Sequence, residues 1–262
     1  MYRARKYQHR TDHLQRLRRI ILRNINTILF DLDGTLLSID MKAFEDIYYS
    51  HLAKSFSTLM PPEKFMPLLS GAVKTMVQNT EEKTNETVFL EAMVKEVGEN
   101  LPLFQAQFTH FYQTGFSRLK EAVHKNEAIH EALATLKDKG YTLAIATNPL
   151  FPKEAIDQRI AWAGLKKEDF AHISYFEESH YCKPNLAYYK EILTKLQKHP
   201  EECMMVGNDA LEDLVSGQLG IKTYLITDHL LNRYDVPIEA DAKGNYQDFL
   251  SFAKTLPPVA PQ

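Results

Sequence analysis

Short apolar runs that end in polar or acidic residues recur along this chain and constrain its fold more than any other feature. The first run is Thr27-Ile28-Leu29-Phe30, and it leads directly into Asp31-Leu32-Asp33-Gly34-Thr35. Such runs are typical of strands that are buried on both faces of a parallel sheet. Four later segments show the same pattern: Tyr141 to Ala146, His172 to Phe176, Cys203 to Val206 and Lys222 to Ile226.

Helical patterns fill the intervals between these predicted strands. Periodicity and breaker residues predict helices at Asn126 to Lys139, Pro152 to Ala163, Asn185 to Gln197 and Ala210 to Leu219. Because strands alternate with helices, we predict an α/β protein with a doubly wound, Rossmann-like parallel sheet. Ligands bind outside the carboxyl ends of the strands in such sheets. We therefore expect the functional site where the apolar runs end.

Residues 40–125 contain no convincing strand, and their pattern predicts four helices at about 41–58, 62–79, 85–98 and 101–122. Because this block follows the first strand, we expect an inserted α-helical domain beside the sheet. The predicted domains are an extension at 1–23, an α/β core made of 24–39 and 126–255, and the helical insertion at 40–125. Aromatic residues at helical spacing are predicted to form the core of the insertion: Phe44, Tyr48, Phe104, Phe108, Phe111 and Tyr112.

The bulk composition is that of an ordinary globular protein, with 44% hydrophobic and 25% charged residues. No apolar run approaches the roughly 20 residues that a membrane-spanning helix needs, so we expect no membrane partner. The two cysteines, Cys182 and Cys203, form no C-x-x-C pair. They therefore indicate neither a zinc site nor a disulfide framework, and they favour a cytoplasmic location.

The net charge of −3 conceals an asymmetry between the start of the chain and the rest. Residues 1–23 carry eight basic side chains and one acidic side chain, which leaves 23 basic and 33 acidic residues for the remainder. An acidic body repels nucleic acid, so we do not expect a nucleic-acid partner. The basic extension is compatible with a solvated segment, a start codon upstream of the true one, a transit peptide or a polyanion-binding arm.

Asp31 and Asp33 are two positions apart at the end of a predicted strand, so their side chains can point to the same side. Hard oxygen ligands at such a place suit Mg²⁺, which also takes oxygens from substrate phosphate. Gly34 allows a sharp turn that leaves backbone N–H groups free for phosphate oxygens. The same residues would also suit an Asp-rich turn that caps a helix.

Further motifs follow in a fixed order, namely Ala146-Thr147-Asn148, then Lys183-Pro184, then Gly207-Asn208-Asp209 with Asp213 four positions later. Together with the segment Asp31 to Thr35, they resemble the four ordered motifs of the haloacid dehalogenase-like superfamily. The resemblance covers about residues 25 to 253. It implies a hydrolase whose helical cap is inserted after the first motif.

The resemblance implies a role for each matching residue. Asp31 resembles the nucleophile that forms an aspartyl-phosphate, and Asp33 resembles the acid that protonates the leaving oxygen and then activates water as a base. Thr147 resembles the residue that holds a phosphoryl oxygen, and Asn148 lies beside it in sequence. Lys183 resembles the cation that neutralises Asp31 and the phosphoryl group. Taken alone, Thr147 would also suit a helix N-cap, and Lys183 would suit a solvated surface.

The metal ligands are carried over less directly. Asp31 and the backbone carbonyl of Asp33 resemble two ligands of a Mg²⁺ cofactor. The commonest family pattern has Asp immediately after the Gly, but Asn208 takes that place here and Asp209 follows. We expect Asp209 to be the second carboxylate on Mg²⁺, with Asp213 supporting it. Asn208 could instead bind the metal through its amide oxygen, and the sequence leaves this choice open.

The aspartate at position 33 resembles the phosphatases and phosphomutases of the family, whereas members that cleave carbon–halogen bonds lack this second acid. The long interval between Asp33 and Thr147 places the insertion where the family has its helical cap. Such a cap excludes water from the site and restricts substrates to small molecules. Four polar residues of the insertion are candidates for substrate contact, although each also suits a solvated helix face: His51, Lys54, Lys74 and His110.

We therefore predict a Mg²⁺-dependent phosphatase that hydrolyses a small phosphorylated metabolite, a phosphomonoester, through an aspartyl-phosphate on Asp31. A phosphomutase that acts on a sugar phosphate is one alternative, because it would share these motifs. A non-catalytic binding protein on the same fold is a second alternative, and the intact set of candidate residues weighs against it. The sequence identifies neither the substrate nor the oligomeric state.

Overall fold

The computed structural model describes residues 24–260, and the predicted basic extension at 1–23 lies outside the described residues. Within this range the chain forms eight strands, of which β2 and β3 make a separate antiparallel ribbon and the others make one sheet. The strands are β1 (Thr27–Phe30), β2 (Ser38–Ile39), β3 (Val123–His124), β4 (Thr142–Ile145), β5 (His172–Ile173), β6 (Cys203–Gly207), β7 (Lys222–Ile226) and β8 (Ala242–Gly244).

The six-stranded sheet is parallel throughout and has the order β5-β4-β1-β6-β7-β8. Strand β1 lies at its centre, where Leu29 pairs with Ala144 on one side and Met205 on the other. All four residues of β1 are buried, as expected for a strand covered on both faces. The predicted doubly wound α/β fold is therefore confirmed.

Eight α-helices accompany these strands within residues 24–260. They are α1 (Met41–Phe56), α2 (Pro62–Val77), α3 (Asn85–Val97), α4 (Leu101–Thr114), α5 (Glu127–Asp138), α6 (Lys153–Trp162), α7 (Leu186–Leu196) and α8 (Tyr246–Thr255). Helices α5, α6 and α8 pack on one face of the sheet with Ile28 and Phe30, whereas α7 packs on the other face with Leu29. The alternation of side chains along β1 thus supplies both layers of the core.

Helices α1 to α4 form what we call the helical insert (residues 41–122), which lies between β2 and β3. Its core is aromatic, with the rings of Phe56 and Phe65 stacked 4.2 Å apart and Phe44 in edge contact with Phe116. Five of the six aromatic residues expected in this core are buried, and the sixth, Phe108, is half-buried. Helical spacing therefore identified the packed faces of the insert.

Two attachments hold the insert against the sheet. The ribbon of β2 and β3 pairs Ser38 with His124 at the point where the chain leaves and re-enters the core. The start of α3 is the second attachment, because the backbone N–H of Asn85 bonds to Ser179 at 2.8 Å and the side chain of Asn79 donates to His180 at 3.0 Å. The insert thus contacts the core at its two ends through the ribbon and at its middle through the start of α3, and a cavity lies between the insert and the sheet.

Two of the predicted helices differ from the structure. The helix expected over 101–122 stops at Thr114, and a 3₁₀ segment, Phe116–Ala122, follows Gly115, which is a poor helix former. The helix expected over Ala210–Leu219 is also wrong, because only the 3₁₀ segment Leu214–Leu219 forms there. Ser216 bonds back to the carbonyl of Asp213 with both its N–H and its hydroxyl, and Gly217 follows, so an α-helix is not continued.

Strand β8 was not predicted, since its sequence, Ala242-Lys243-Gly244, carries no apolar run. It nevertheless pairs with the edge of β7 and leads into α8, whose N-cap Asn245 forms a capping box with Asp248. No helix in the described part of the chain is both long enough and apolar enough to cross a membrane.

Candidate active site

The loop after β1 carries Asp31 and Asp33 at the carboxyl end of the central strand. The N–H of Asp31 still bonds to Val206 of β6 at 2.9 Å, so this carboxylate is held at the strand end. Gly34 turns the chain with a φ of +84°, and a Cβ atom there would lie 2.3 Å from the amide nitrogen of Asn208. Glycine is required on both counts, because it permits the left-handed turn and the close approach of the fourth motif.

Lys183 bridges two carboxylates beneath this loop. Its Nζ atom lies 2.9 Å from Oδ1 of Asp31 and 2.6 Å from Oδ1 of Asp213, and the lysine is 1% exposed. Burial acts to lower the pKa of Lys183, but the charges of Asp213 and Asp31 outweigh it and hold the pKa well above its usual range. The lysine therefore remains a fixed cation beside Asp31.

Burial dominates the two carboxylates that Lys183 bridges. It raises the pKa of Asp31 to about 6 and that of Asp213 to about 6, although Lys183 opposes the shift in both cases. Asp213 can approach so closely because residue 207 is glycine, where a Cβ atom would meet its Oδ2 at 2.0 Å. Asp31 and Asp213 share one lysine, so when both are ionised this part of the site carries excess negative charge.

Thr147 and Asn148 follow β4 at the adjacent strand end. Thr147 is buried, its carbonyl accepts a 2.7 Å hydrogen bond from Tyr188, and its hydroxyl makes no hydrogen bond within residues 24–260. The Asn148 side chain accepts a hydrogen bond from the N–H of Lys183 at 3.1 Å and donates to Glu212 at 3.0 Å. Asn148 thus joins the loops of three motifs, whereas Thr147 offers a free hydroxyl to a ligand.

Arg159, on α6, forms a largely buried ion pair with Asp33 that no sequence motif predicts. Its guanidinium also stacks 4.5 Å from the ring centroid of Phe151, and the side chain is 1% exposed. Burial raises the pKa of Asp33 although Arg159 opposes the shift. A signal was present, because Arg159 occupies the same helical face as the apolar Ala155 and Ile156, where a charge is out of pattern.

In the fourth motif, Asp209 and Asn208 have different hydrogen-bond partners. Asp209 accepts hydrogen bonds from the N–H groups of Leu211 and Glu212 with Oδ1, and its Oδ2 lies 2.8 Å from Arg233. Asn208 accepts a 3.1 Å hydrogen bond from the Thr35 hydroxyl. Both oxygens of Asp209 therefore have protein partners.

Asn208 is fixed on its other side as well, because its amide nitrogen donates to the carbonyl of His229 at 2.7 Å. This contact determines which way its amide oxygen faces. Arg233, which pairs with Asp209 and Glu212, belongs to the loop after β7 and was not predicted. No pattern in that loop marked it as part of the site.

These residues line one cavity of about 760 Å³ between the sheet and the helical insert. All the predicted site residues except Lys183 are among its lining residues, and Lys183 lies directly behind Asp31. Of the four polar insert residues considered as substrate contacts, Lys74 lines the cavity. The side chains of His51, Lys54 and His110 do not, which is the expected outcome for solvated helix positions.

The oxygen atoms at the strand ends fit a hard cation. Oδ2 of Asp31 and the carbonyl oxygen of Asp33 accept no hydrogen bond from the described residues, and Oδ1 of Asp33 is buried without a partner. Within residues 24–260, however, no three His, Cys, Asp or Glu side chains are grouped closely enough to hold a metal ion. Carboxylate, carbonyl and amide oxygens with excess negative charge are the donor set that Mg²⁺ prefers.

Comparison with known proteins gives consistent matches. A model of the haloacid dehalogenase-like hydrolase family matches residues 25–220. The pyrophosphatase PpaX of Bacillus cereus (strain Q1) is 26% identical over 204 residues, which are 78% of this chain and 83% of PpaX.

Solved structures match over nearly the whole chain. A HAD phosphatase from Thermococcus onnurineus superposes with a TM-score of 0.58 at 17% identity and covers 90% of this chain and 100% of its own. The HAD-hydrolase YfnB from Bacillus subtilis, solved with bound magnesium, superposes with a TM-score of 0.53 at 19% identity and covers 88% and 98%. At these identities the structural matches establish the fold.

Proposed function

Because the chain belongs to the haloacid dehalogenase-like hydrolase family and is a phosphohydrolase, we propose that it is a Mg²⁺-dependent phosphatase that hydrolyses a small phosphomonoester through an aspartyl-phosphate on Asp31. One observation carries the proposal. Lys183 holds one oxygen of the Asp31 carboxylate from behind, and the other oxygen has no hydrogen-bond partner among the described residues, at the edge of a cavity. A carboxylate held in this way is suited to nucleophilic attack.

In the first step, an oxygen of Asp31 attacks phosphorus and the bond from phosphorus to the ester oxygen breaks. The leaving oxygen takes a proton from Asp33, whose pKa burial raises against the opposing charge of Arg159. The hydroxyl of Thr147 donates to one phosphoryl oxygen, and Lys183 offsets the negative charge that develops. The products of this step are the alcohol and an aspartyl-phosphate.

In the second step, water attacks the phosphorus of the aspartyl-phosphate. Asp33, now ionised, accepts a proton from the water, and the carboxylate of Asp31 leaves. Inorganic phosphate is released, and both aspartates return to their starting states. Asn148 serves this cycle by holding the loop of Lys183, since it accepts the hydrogen bond from the lysine N–H.

The metal site is proposed at the same strand ends. Asp31 and the carbonyl of Asp33 would hold Mg²⁺ with Asp209 as the second carboxylate, Asn208 as the alternative donor and Asp213 behind them. The bound cation would neutralise phosphate charge and the excess of carboxylates. The magnesium in the YfnB structure supports this choice of metal. Asp209 would have to exchange Arg233 for the metal, whereas Asn208 would have to release only Thr35.

We further propose that residues 40–125 act as a lid over the cavity and that the protein works in the cytoplasm on a phosphorylated metabolite. The lid proposal rests on the position of the insert, whose helices form the cavity wall opposite Asp31. Closure of such a wall excludes water from the aspartyl-phosphate until the leaving alcohol has departed.

The test is release of inorganic phosphate from para-nitrophenyl phosphate and from a panel of phosphorylated metabolites, with Mg²⁺ or with a chelator. We expect Mg²⁺-dependent release that falls by at least about 10³-fold in Asp31→Asn, since the nucleophile is lost. Asp169→Asn, which alters an exposed carboxylate paired with Lys137, is the matched control and should retain full activity. Conversion of a sugar phosphate into its isomer without free phosphate would favour the phosphomutase, and full biological function of Asp31→Asn would favour a binding protein.

A further inference from the structure

The wall of the cavity differs in character from its floor. The floor consists of carboxylates and amides at the strand ends, namely Asp31, Asp33, Asn148, Asn208, Asp209, Glu212 and Asp213. The wall is formed by the helical insert, whose lining side chains are mainly apolar and aromatic. These include Phe44, Tyr48, Leu69, Val73, Phe89 and Phe108. A leaving group attached to a phosphate on the floor would therefore lie against aromatic rings and aliphatic side chains.

The size of the cavity points in the same direction. Its volume of about 760 Å³ lies within the roughly 300–1,000 Å³ of pockets that enclose drug-sized ligands. A compact substrate such as pyrophosphate or phosphoglycolate would occupy a small part of it and leave the apolar wall in contact with water. A bulky apolar group would cover that wall and gain the free energy of burial.

The charges around the cavity oppose a second anionic group on the substrate. Only three of its lining residues within 24–260 are cationic, and two of these are already paired, Arg159 with Asp33 and Arg233 with both Asp209 and Glu212. Lys74 is the third, and it is exposed. Glu212 lies with the aspartates at the strand ends, and four more glutamates line the cavity: Glu45, Glu86, Glu154 and Glu177.

The position of one glutamate strengthens this point. Oε2 of Glu177 is buried without a hydrogen-bond partner, and burial, with Glu86 and Glu154 nearby, raises the pKa of this carboxyl. An additional carboxylate or phosphate of a substrate would add to an existing excess of negative charge with one exposed lysine to compensate it. Polyanionic substrates should therefore bind poorly.

We propose that this site takes phosphomonoesters of bulky aromatic alcohols that carry no second anionic group, and that it discriminates against pyrophosphate and phosphorylated carboxylic acids. The inference rests on the proposed phosphatase function and adds the substrate class. The aromatic side chains of the wall would contact the substrate ring face-to-edge or offset, which is how aromatic rings pair. Specificity would come from the wall, and the phosphate would be held by the floor.

The test compares kcat/KM for esters whose leaving alcohols differ in size and charge but little in intrinsic reactivity. Naphthylmethyl, benzyl and ethyl phosphate vary the apolar area, and carboxybenzyl phosphate adds one negative charge to the benzyl ester. We expect kcat/KM to decrease from naphthylmethyl to benzyl to ethyl phosphate. We expect carboxybenzyl phosphate, phosphoglycolate and pyrophosphate to be at least tenfold poorer substrates than benzyl phosphate.

Variants of two phenylalanines test whether the cavity wall causes the preference for large aromatic esters. Phe89→Leu alters the cavity wall, and Phe104→Leu alters a phenylalanine that is buried in the insert but does not line the cavity. Phe89→Leu should reduce the preference for naphthylmethyl over ethyl phosphate at least threefold, and Phe104→Leu should leave that ratio unchanged. Equal effects of the two variants, or hydrolysis of pyrophosphate or phosphoglycolate as fast as benzyl phosphate, would overturn the inference.

A binding measurement separates this inference from the proposed function. Calorimetry with naphthylmethylphosphonate and with phosphonoformate, both of which resist hydrolysis, reports the preference of the cavity even without turnover. At least tenfold tighter binding of naphthylmethylphosphonate supports the inference, and similar or reversed affinities refute it. If no ester is hydrolysed but this preference holds, then the proposed function fails and the assignment of ligand class stands.

Discussion

Arg159 and Asp33 meet as a buried ion pair although they are 126 positions apart in the chain. One atom of each partner, Nη2 of Arg159 and Oδ1 of Asp33, is buried without a hydrogen-bond partner. Buried charges of this kind are costly unless they are paired and well oriented. Since Asp33 is the candidate acid, we regard Arg159 as a positioning residue that sets the direction of its carboxyl group.

Removal of this guanidinium should lower kcat most for substrates whose leaving oxygen must be protonated. Arg159→Met keeps the length of the side chain, and we expect kcat for benzyl phosphate to fall by roughly 10- to 100-fold, because Asp33 loses its fixed position. Hydrolysis of para-nitrophenyl phosphate, whose leaving group needs little protonation, should fall by about threefold or less. Steady-state kinetics with both esters measures the split.

Arg118→Met, a change at an exposed arginine, serves as the control for this experiment. It should leave both rates unchanged. Arg159→Lys keeps the charge and should recover part of the benzyl phosphate activity. An equal loss of activity toward the two esters would show that Arg159 acts on overall structure and not through the acid.

At the scale of elements, α3 is joined to the core by hydrogen bonds at its start. Its first residues bond to the loop after β5, and Asn79, just before it, donates hydrogen bonds to Glu81, Lys83 and His180 from one buried amide group. The two N–H bonds of this amide group are thus shared among three backbone carbonyls. These hydrogen bonds therefore help to set the position of α3 and of the part of the cavity wall that it forms.

Asn79→Ala should loosen this attachment. We expect a loss of about 1–3 kcal/mol in the free energy of unfolding, since three partly buried hydrogen bonds lose their donor. We also expect faster amide hydrogen exchange at residues 79–90, and KM should rise because the wall is less well placed. Asn100→Ala, at an exposed asparagine whose side chain caps nothing, is the control and should change none of these quantities. Unchanged exchange at α3 in Asn79→Ala would contradict this account of the attachment.

At the scale of the whole molecule, the insert and the sheet close around a floor that holds more negative than positive charge. Asp213 is buried there and Asp31 and Asp33 are half-buried, with Lys183 and Arg159 as their ion-pair partners. Burial raises the pKa of all three carboxyl groups. A divalent cation would relieve this excess, so metal binding should be coupled both to pH and to stability.

We expect Mg²⁺ to raise the thermal midpoint of the protein at pH 7.5 and to raise it much less at pH 5. The pKa of Asp31 is about 6 in the metal-free protein, above its ordinary value of 3.8, so below pH 6 a cation must displace a bound proton. One pH unit below that pKa, the apparent affinity should be roughly tenfold weaker. Scanning calorimetry with Mg²⁺ and with a chelator measures the effect.

The sign of this dependence follows from the direction of the shift. A carboxyl with a raised pKa binds its proton more tightly in the folded than in the unfolded state, so the metal-free protein gains stability from Asp31 as pH falls from about 6 toward 4. Mg²⁺ opposes this trend because it binds the ionised form. Asp31→Asn should reduce the pH-dependent part of the Mg²⁺ effect, with the remainder due to Asp33 and Asp213, and an unchanged effect in that variant would place the metal elsewhere.

The sequence by itself determined the parallel α/β sheet and the order of the motifs along it. Apolar runs such as Thr27–Phe30 and their polar ends are local patterns, and parallel strands bring their carboxyl ends to one edge whatever the rest of the chain does. Asp31, Asp33, Thr147 and Asp209 therefore meet as the pattern predicts. Their individual roles, and the domain boundaries, stay predictions.

Only the tertiary structure decided which partner each polar group takes. Nothing local pairs Arg159 with Asp33 or Arg233 with Asp209, because each contact joins elements that are distant in sequence and meet through packing of the core. Strand β8 likewise lacks an apolar run and forms because the edge of β7 offers it hydrogen bonds. The tertiary structure also decided that aromatic side chains of the insert line the cavity. Helical spacing predicts that a helix face is apolar, but it does not predict whether that face packs in the core or contacts a ligand.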